Sequence, residues 1–329
     1  MRVTASCNGS CGELIQGWLG DSQKLVSYGI DRFSKVTIQT GVASKGIKPK
    51  VEEAIYRTLD HLGIPISEKE KLSFLIDSDL PVAKGMASST ADIAAACQAT
   101  AAYYGRNIPI AEIIDICLAI ERTDSILFPT LTMFEQKNGS VRESSGWAPH
   151  FYVIVLEPEA TLTTEAFHSR KNEQLFYQQR VMFAEVYRQY ARAVKEKSLQ
   201  MLGEAATQSA LLNQKILPKP YFSELVALKK HHPVLGINVA HSGSVVGLMI
   251  EKPENISEIV TALKKSDMCR WYSKVSVHQS CYQGVRQIEA RNINEEADDC
   301  RSFQRFRKDH NNSWLDETFT KPRVSNSTV

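Results

Sequence analysis

Apolar side chains recur along the first half of the chain at two periods, and the period predicts the element. Residues 34–41 alternate apolar with polar and are rich in β-branched side chains, which predicts a half-buried strand. Val51, Ala54, Ile55, Leu59 and Leu62 fall at helical spacing across 49–62, and Gly63-Ile64-Pro65 supplies the stop. A short apolar strand, Leu72 to Ile76, runs into the polar turn Asp77-Ser78-Asp79. An Ala-rich helix is expected over 90–104, ended by Gly105. A further helix fits 110–122, with Ile110, Ile113, Ile114, Cys117 and Ile120 on one face.

The pattern restarts near residue 146. Phe151 to Leu156 is an unbroken apolar run, as expected of a strand buried on both faces. Helices follow over 172–196, 198–213 and 221–231. Strands are expected at 237–240 and 244–250, around a Ser-Gly turn, and a last helix at 255–265. The fold class is therefore α+β. At about 150 residues per domain, the 329 residues suggest two domains, 1–150 and 151–288. Residues 289–329 change character: they are dense in charge, with only Ile293, Leu315, Val324 and Val329 as aliphatic branched residues. A disordered or loosely docked tail is expected there.

Composition narrows the function. Hydrophobic content of 43% and charged content of 23% are those of an ordinary globular chain. Thirty-nine basic against thirty-seven acidic side chains leave +2, which gives no electrostatic footprint for nucleic acid or a membrane surface. No window has the length of apolar sequence that a membrane span needs, and Met1 leads into a small polar stretch, so no secretory leader is expected. The seven cysteines have no framework spacing. Cys7 and Cys11 lack a partner pair with zinc-like spacing, so a reducing cytoplasm is the expected compartment.

The segment with the most chemistry joins the expected strand at 72–76 to the Ala-rich helix. It reads Pro81-Val82-Ala83-Lys84-Gly85-Met86-Ala87-Ser88-Ser89-Thr90-Ala91. Small residues let backbone approach a ligand closely, and the amides that open a helix lack internal acceptors. With the positive end of the helix dipole they suit phosphate. It is not a Walker loop, since no Gly-Lys-Ser/Thr stands at the required spacing. The same residues also fit a plain helix start capped by Ser88 or Ser89.

This segment resembles the central phosphate-binding motif of the GHMP kinases. Two more segments stand where that family has its other motifs: Ala5 to Gly17, containing Cys11-Gly12-Glu13-Leu14, and Ala240-His241-Ser242-Gly243-Ser244. His241 stands where a small residue is usual, and Met86 where Leu is usual. Ser10 to Gly17, Glu121-Arg122-Thr123-Asp124-Ser125, Val275 to Gln279 and Gly284-Val285-Arg286 are similar to a bacterial branch whose acceptor is L-threonine and whose product feeds the aminopropanol linker of cobalamin. The resemblance covers roughly residues 3–288. It implies an N-terminal domain like ribosomal protein S5 domain 2 and a ferredoxin-like C-terminal domain, with ATP, Mg²⁺ and a small-molecule alcohol as reactants. Residues 81–91 would hold the ATP phosphates, with Lys84 as a further contact. Ser89 and Glu121 would ligate Mg²⁺, a hard cation that keeps only one or two protein oxygens. Asp124 would be the catalytic base or position the acceptor. Glu13, Gln16, Ser242, Gly243 and Arg286 would hold the substrate, Arg286 through its carboxylate. Homoserine is the nearest alternative acceptor, and a non-catalytic ligand-binding protein of the same fold is the alternative class.

Overall fold

The computed structural model describes residues 1–41, 48–162, 167, 169–291 and 316–318. Two long strands, β1 (Arg2–Leu19) and β2 (Ser22–Thr40), open the chain as an antiparallel pair. Residues 5–17, the small polar stretch for which the pattern predicts no element, are the body of β1. The pairing shifts register between Asn8/Ser10, Ser10/Glu13 and Glu13/Ile15. Such bulges bend a strand and re-aim its side chains without ending the ladder, which is how a run of small residues stays a strand here.

The helix α1 (Pro49–His61) begins with Pro at its first position, where the missing N–H costs nothing. β3 (Leu72–Ser78) pairs with β2, and the loop after it leads into α2 (Ser88–Tyr103). Residues 91–97 of α2 are all buried, as expected of a helix apolar on every face. Its alanines let it lie close on β1 and β2. Then come α3 (Ile110–Ile120), the short hairpin β4 (Thr132–Phe134) and β5 (Arg142–Ser144), and β6 (Tyr152–Glu157). The expected helix 172–196 is two, α4 (Arg170–Gln178) and α5 (Arg180–Glu196). After α6 (Leu199–Asn213) and α7 (Phe222–His231) come β7 (Gly236–Val239), β8 (Val246–Ile250), α8 (Ile256–Lys264) and the single turn α9 (Met268–Trp271). β9 (Lys274–Cys281) and β10 (Val285–Arg291) follow, so the segment expected to open the tail at 289 still belongs to a strand. Residues 316–318 form β11 on β9; the rest of the expected tail lies outside the described residues.

The main path of the sheet runs β10-β1-β7-β8-β6-β9-β2-β4-β5, and β1 also pairs with β2, so the path closes on itself. Every pairing is antiparallel. β6 serves two cores. Phe151, Val153 and Val155 join the large core under α1–α3, α5 and α6; Ile154 and Leu156 face a second core with Leu225, Ile237, Leu248 and Ile259. A strand's side chains alternate between faces, so an unbroken apolar run is what a strand between two cores requires.

α6 meets β7 backbone to backbone. A Cβ added at Gly236 would lie 2.1 Å from the Gly203 carbonyl oxygen and 2.4 Å from Gly203 Cα. Neither atom belongs to a movable side chain, so Gly236→Ala is expected to cost about 1–3 kcal/mol or more. Urea unfolding checks this, and an unchanged midpoint would mean that α6 moves off the sheet freely.

Candidate active site

The loop before α2 is held in an uncommon backbone shape. Ala83 (φ 58°), Gly85 (φ 81°) and Ala87 (φ 54°) all lie in the left-handed region, at about 1–2 kcal/mol for each residue bearing a Cβ. Contacts from two distant segments hold it there. The Ser244 amide donates to the Lys84 carbonyl at 2.9 Å, and the Ser10 amide donates to the Met86 carbonyl at 3.1 Å. A Cβ on Gly85 would sit 2.4 Å from Ala240 Cβ, and one on Gly243 would sit 2.2 Å from the Lys84 carbonyl oxygen. The three motifs, far apart in sequence, therefore meet at one place.

Ala87 is the N-cap residue of α2 and offers no side chain to cap it. A cap by Ser88 or Ser89 is not formed: both lie inside the first turn, where the amides of Ser88, Ser89 and Thr90 have no intrahelical acceptor. Those amides and the helix dipole make an anion site on the loop. Pro81, Ala83, Gly85, Ala87, Ser88 and Ser89 are half-buried, Val82 is exposed, and Met86, Thr90 and Ala91 are buried. Lys84 departs from expectation. Its ammonium is turned onto the carbonyls of Pro158, Glu159 and Ala160, the last two at 2.9 Å. Only its backbone serves the loop, and its side chain ties the loop to the segment after β6.

Ser89 and Glu121 come together as the motif reading expects. Ser89 Oγ donates to Glu121 Oε2 at 2.8 Å, and Lys50 Nζ donates to the same oxygen at 2.7 Å; Thr90 Oγ1 reaches Oε1 at 3.4 Å. Glu121 is placed by the end of α3 at Ile120, two residues short of the expected helix, where its backbone is extended. Lys50 was not foreseen. Two residues after Lys48, which pairs with the buried Asp92 at 2.6 Å, it reads in sequence as an ordinary solvated lysine.

Asp124 caps the short turn Ser125–Leu127, accepting from the Ser125 amide at 2.7 Å. Ser27 lies opposite Glu13 in the β1–β2 pairing, and its amide donates to Ser125 Oγ at 2.8 Å. Glu13 and Asp124 therefore flank Ser27 from two elements. Burial pushes the Asp124 carboxyl up to about 7; the Glu13 charge adds to the rise, and the nearby Ser27 hydroxyl and the hydrogen bond from the Ser125 amide oppose it.

Glu13 is buried and accepts from the His241 amide at 2.8 Å. The His241 ring, 1% exposed, sets Nδ1 3.1 Å from Glu13 Oε2 and Nε2 3.0 Å from Ser209 Oγ. The departure of His241 from the family pattern marked a working position: a small residue could not tie β1, α6 and the late turn together. Gln16 is buried, and its side-chain oxygen has no partner among the described residues. Ser242 is half-buried at the turn, and Gly243 is buried against the loop. Arg286 is exposed on β10, opposite Ser6. Burial raises the Cys7 and Cys11 thiols, Cys11 to about 12, so neither offers a thiolate.

The loop before α2 is thus strained, closed by two distant segments and joined by a hydroxyl–carboxylate pair at its helix. Residues 50–127 match the GHMP kinases N terminal domain, and residues 190–267 match the GHMP kinases C terminal family. The chain belongs to the GHMP kinases. It is 36% identical over 285 residues to the L-threonine kinase of Salmonella typhimurium, covering 86% of this chain and 95% of that one. It is 38% identical over 250 residues to the L-threonine kinase of Citrobacter freundii, covering 76% and 87%. Among solved structures, a putative homoserine kinase from Listeria monocytogenes has a TM-score of 0.65 at 14% identity, covering 88% of this chain and 100% of that chain. A mevalonate kinase has 0.62 at 17%, with the same coverages. These structures share the two-domain fold, with the mixed α and β content that the sequence pattern predicts.

Proposed function

We propose that this protein transfers the γ-phosphoryl group of ATP to the hydroxyl of L-threonine, giving ADP and O-phospho-L-threonine. Residues 1–150 would supply the phosphate loop, and residues 151–288 would close the acceptor side. The observation that carries the reading is the placing of Asp124 and Glu13 around Ser27, in the chain whose Ser89 and Glu121 meet at the phosphate loop. The identity to two L-threonine kinases over most of the chain supports the acceptor. Use of the product for the aminopropanol linker of cobalamin, in the cytoplasm, belongs to the same proposal.

In this reading the amides of residues 85–90 hold the phosphates. The acceptor oxygen attacks the γ-phosphorus as the bond to the β–γ bridging oxygen breaks, and the hydroxyl proton passes to the Asp124 carboxylate. Phosphoryl transfer depends more on positioning and charge neutralisation than on covalent help from the protein. Ser89 Oγ and Glu121 Oε2, two hard oxygens 2.8 Å apart, fit Mg²⁺. When bound, the ion supplies neutralisation of the phosphate charge. Ser89 and Glu121 would hold it, and Lys50 would exchange its place on Glu121 for the phosphates.

Steady-state rates of ADP release with L-threonine, L-serine, L-homoserine and mevalonate test the acceptor. The proposal expects the highest kcat/KM for L-threonine. A higher value for homoserine or mevalonate would reassign the enzyme within its family, and ADP release with none of the four would favour a ligand-binding protein.

A further inference from the structure

Two buried, opposite charges flank the late turn and do not pair with each other. Glu13, 5% exposed, accepts the amide of His241 on one side. Lys219, 6% exposed, donates its ammonium to the carbonyl of Gly243 at 2.8 Å on the other. That carbonyl is the one acceptor the described residues give a group with three donors. No ion pair closes between Lys219 and Glu13, although the Glu13 charge is felt at Lys219, where burial brings the ammonium down to about 7. A buried charge is costly unless it is paired or fully hydrogen-bonded, so a lone ammonium beside a carboxylate out of reach implies a ligand that meets both.

The neighbouring polar atoms point the same way. Gln16 Oε1 and Asn213 Oδ1 are buried without partners among the described residues, and both residues line a narrow recess of about 10 Å³. Phe183 and Leu212 form apolar wall in the same recess. Asn213 also donates to the His241 carbonyl at 3.2 Å, which places it between the Glu13 and Lys219 ends of the turn. Two buried oxygens without a donor suit an ammonium, which only donates.

We propose that Glu13 and Lys219 form the two ends of a recognition site for a zwitterionic α-amino acid: Lys219 takes the α-carboxylate, and Glu13, with the oxygens of Gln16 and Asn213, takes the α-ammonium. The inference rests on the threonine reading and deepens it. Ammonium and hydroxyl are on adjacent carbons in threonine, as Glu13 and Asp124 are on adjacent sides of Ser27. Lys219 thereby fills the role the sequence suggested for Arg286.

The test is a cycle between protein and ligand. Binding of L-threonine, of L-threoninol (no carboxylate) and of 3-hydroxybutyrate (no ammonium) is measured by calorimetry. The proteins are the wild type, Lys219→Met and Lys219→Arg, with Mg²⁺ and a non-hydrolysable ATP analogue present. Loss of a charged hydrogen bond corresponds to about tenfold or more in affinity. Lys219→Met is expected to weaken threonine and 3-hydroxybutyrate by about that factor and to leave threoninol unchanged, with Lys219→Arg recovering part of the loss. Equal weakening of threonine and threoninol, or no weakening of either, would overturn the assignment. Should Lys219→Met fail to fold, the Lys219→Arg ratio of threonine to threoninol affinity decides, because a purely structural lysine would leave that ratio at its wild-type value. Wild-type protein that neither binds nor phosphorylates threonine would sink the functional reading itself. Normal wild-type turnover with a Lys219→Met that weakens threonine and threoninol equally, or neither, would sink only this inference.

Discussion

Asp124→Asn is expected to lower kcat by about 10²–10⁴-fold, the usual contribution of a general base, while the KM for ATP stays near its wild-type value. The amide keeps the shape of the carboxyl and can still accept from the Ser125 amide, so the loss reports proton acceptance and not a collapsed turn. Two pH signatures accompany it. Because burial and Glu13 hold the wild-type carboxyl up near 7, wild-type kcat should climb as pH rises from about 6 to 8 while the group ionises. The variant should be flat over that range. Stability runs the other way. A carboxyl whose folded value is raised contributes stability that is complete below its unfolded value, near 3.8, and is lost as pH rises to about 7. The stability of Asp124→Asn relative to wild type should therefore grow between those limits and level off above them. A loss under tenfold in kcat with an unchanged pH profile would make Asp124 a positioning group, with the proton leaving to phosphate or water.

Glu121→Gln should act on the metal instead. An amide oxygen remains, but the charge that fixes the dication beside the phosphates is gone. Apparent Mg²⁺ affinity should fall by at least about 10–100-fold, and raising Mg²⁺ should recover part of the rate. Ser89→Ala should give the same metal-dependent loss with little change in melting temperature, since Ser89 lies inside the first turn of α2 and not at its cap. Activity titrated against Mg²⁺ separates the cases: rescue of Glu121→Gln and not of Asp124→Asn is the expected pattern. Equal rescue of both would place both carboxylates on the ion.

The same residues show where sequence reading succeeds and where it stops. The helices α1 and α3 were legible because one-sided burial leaves a period in the apolar positions; α2 and β6, buried all round, were legible from an Ala-rich segment and an unbroken apolar run. β1 was not. Its run of Ser, Cys, Asn and Gly carries no alternation, since bulges reset the register and long-range pairing with β2, β7 and β10 defines it. Ser89 and Glu121 were legible through motif spacing. Lys50, Ser209, Asn213 and Lys219 were not, because isolated polar residues on helices and loops gain meaning only from what tertiary packing sets beside them. Lys84 and Arg286 show the converse. A cation close to a motif in sequence can be committed elsewhere: Lys84 turns to the carbonyls after β6, and Arg286 lies exposed on an edge strand.

The account turns on which oxygen receives the phosphoryl group, and phosphorus NMR of a reaction run to completion measures that directly. Purified protein with Mg²⁺, ATP and L-threonine should convert the γ-phosphate resonance into a phosphomonoester signal. That signal should be split by coupling to the threonine β-proton and should appear one for one with ADP. Inorganic phosphate as the only new signal, or ATP left intact beside unmodified threonine, would contradict the account.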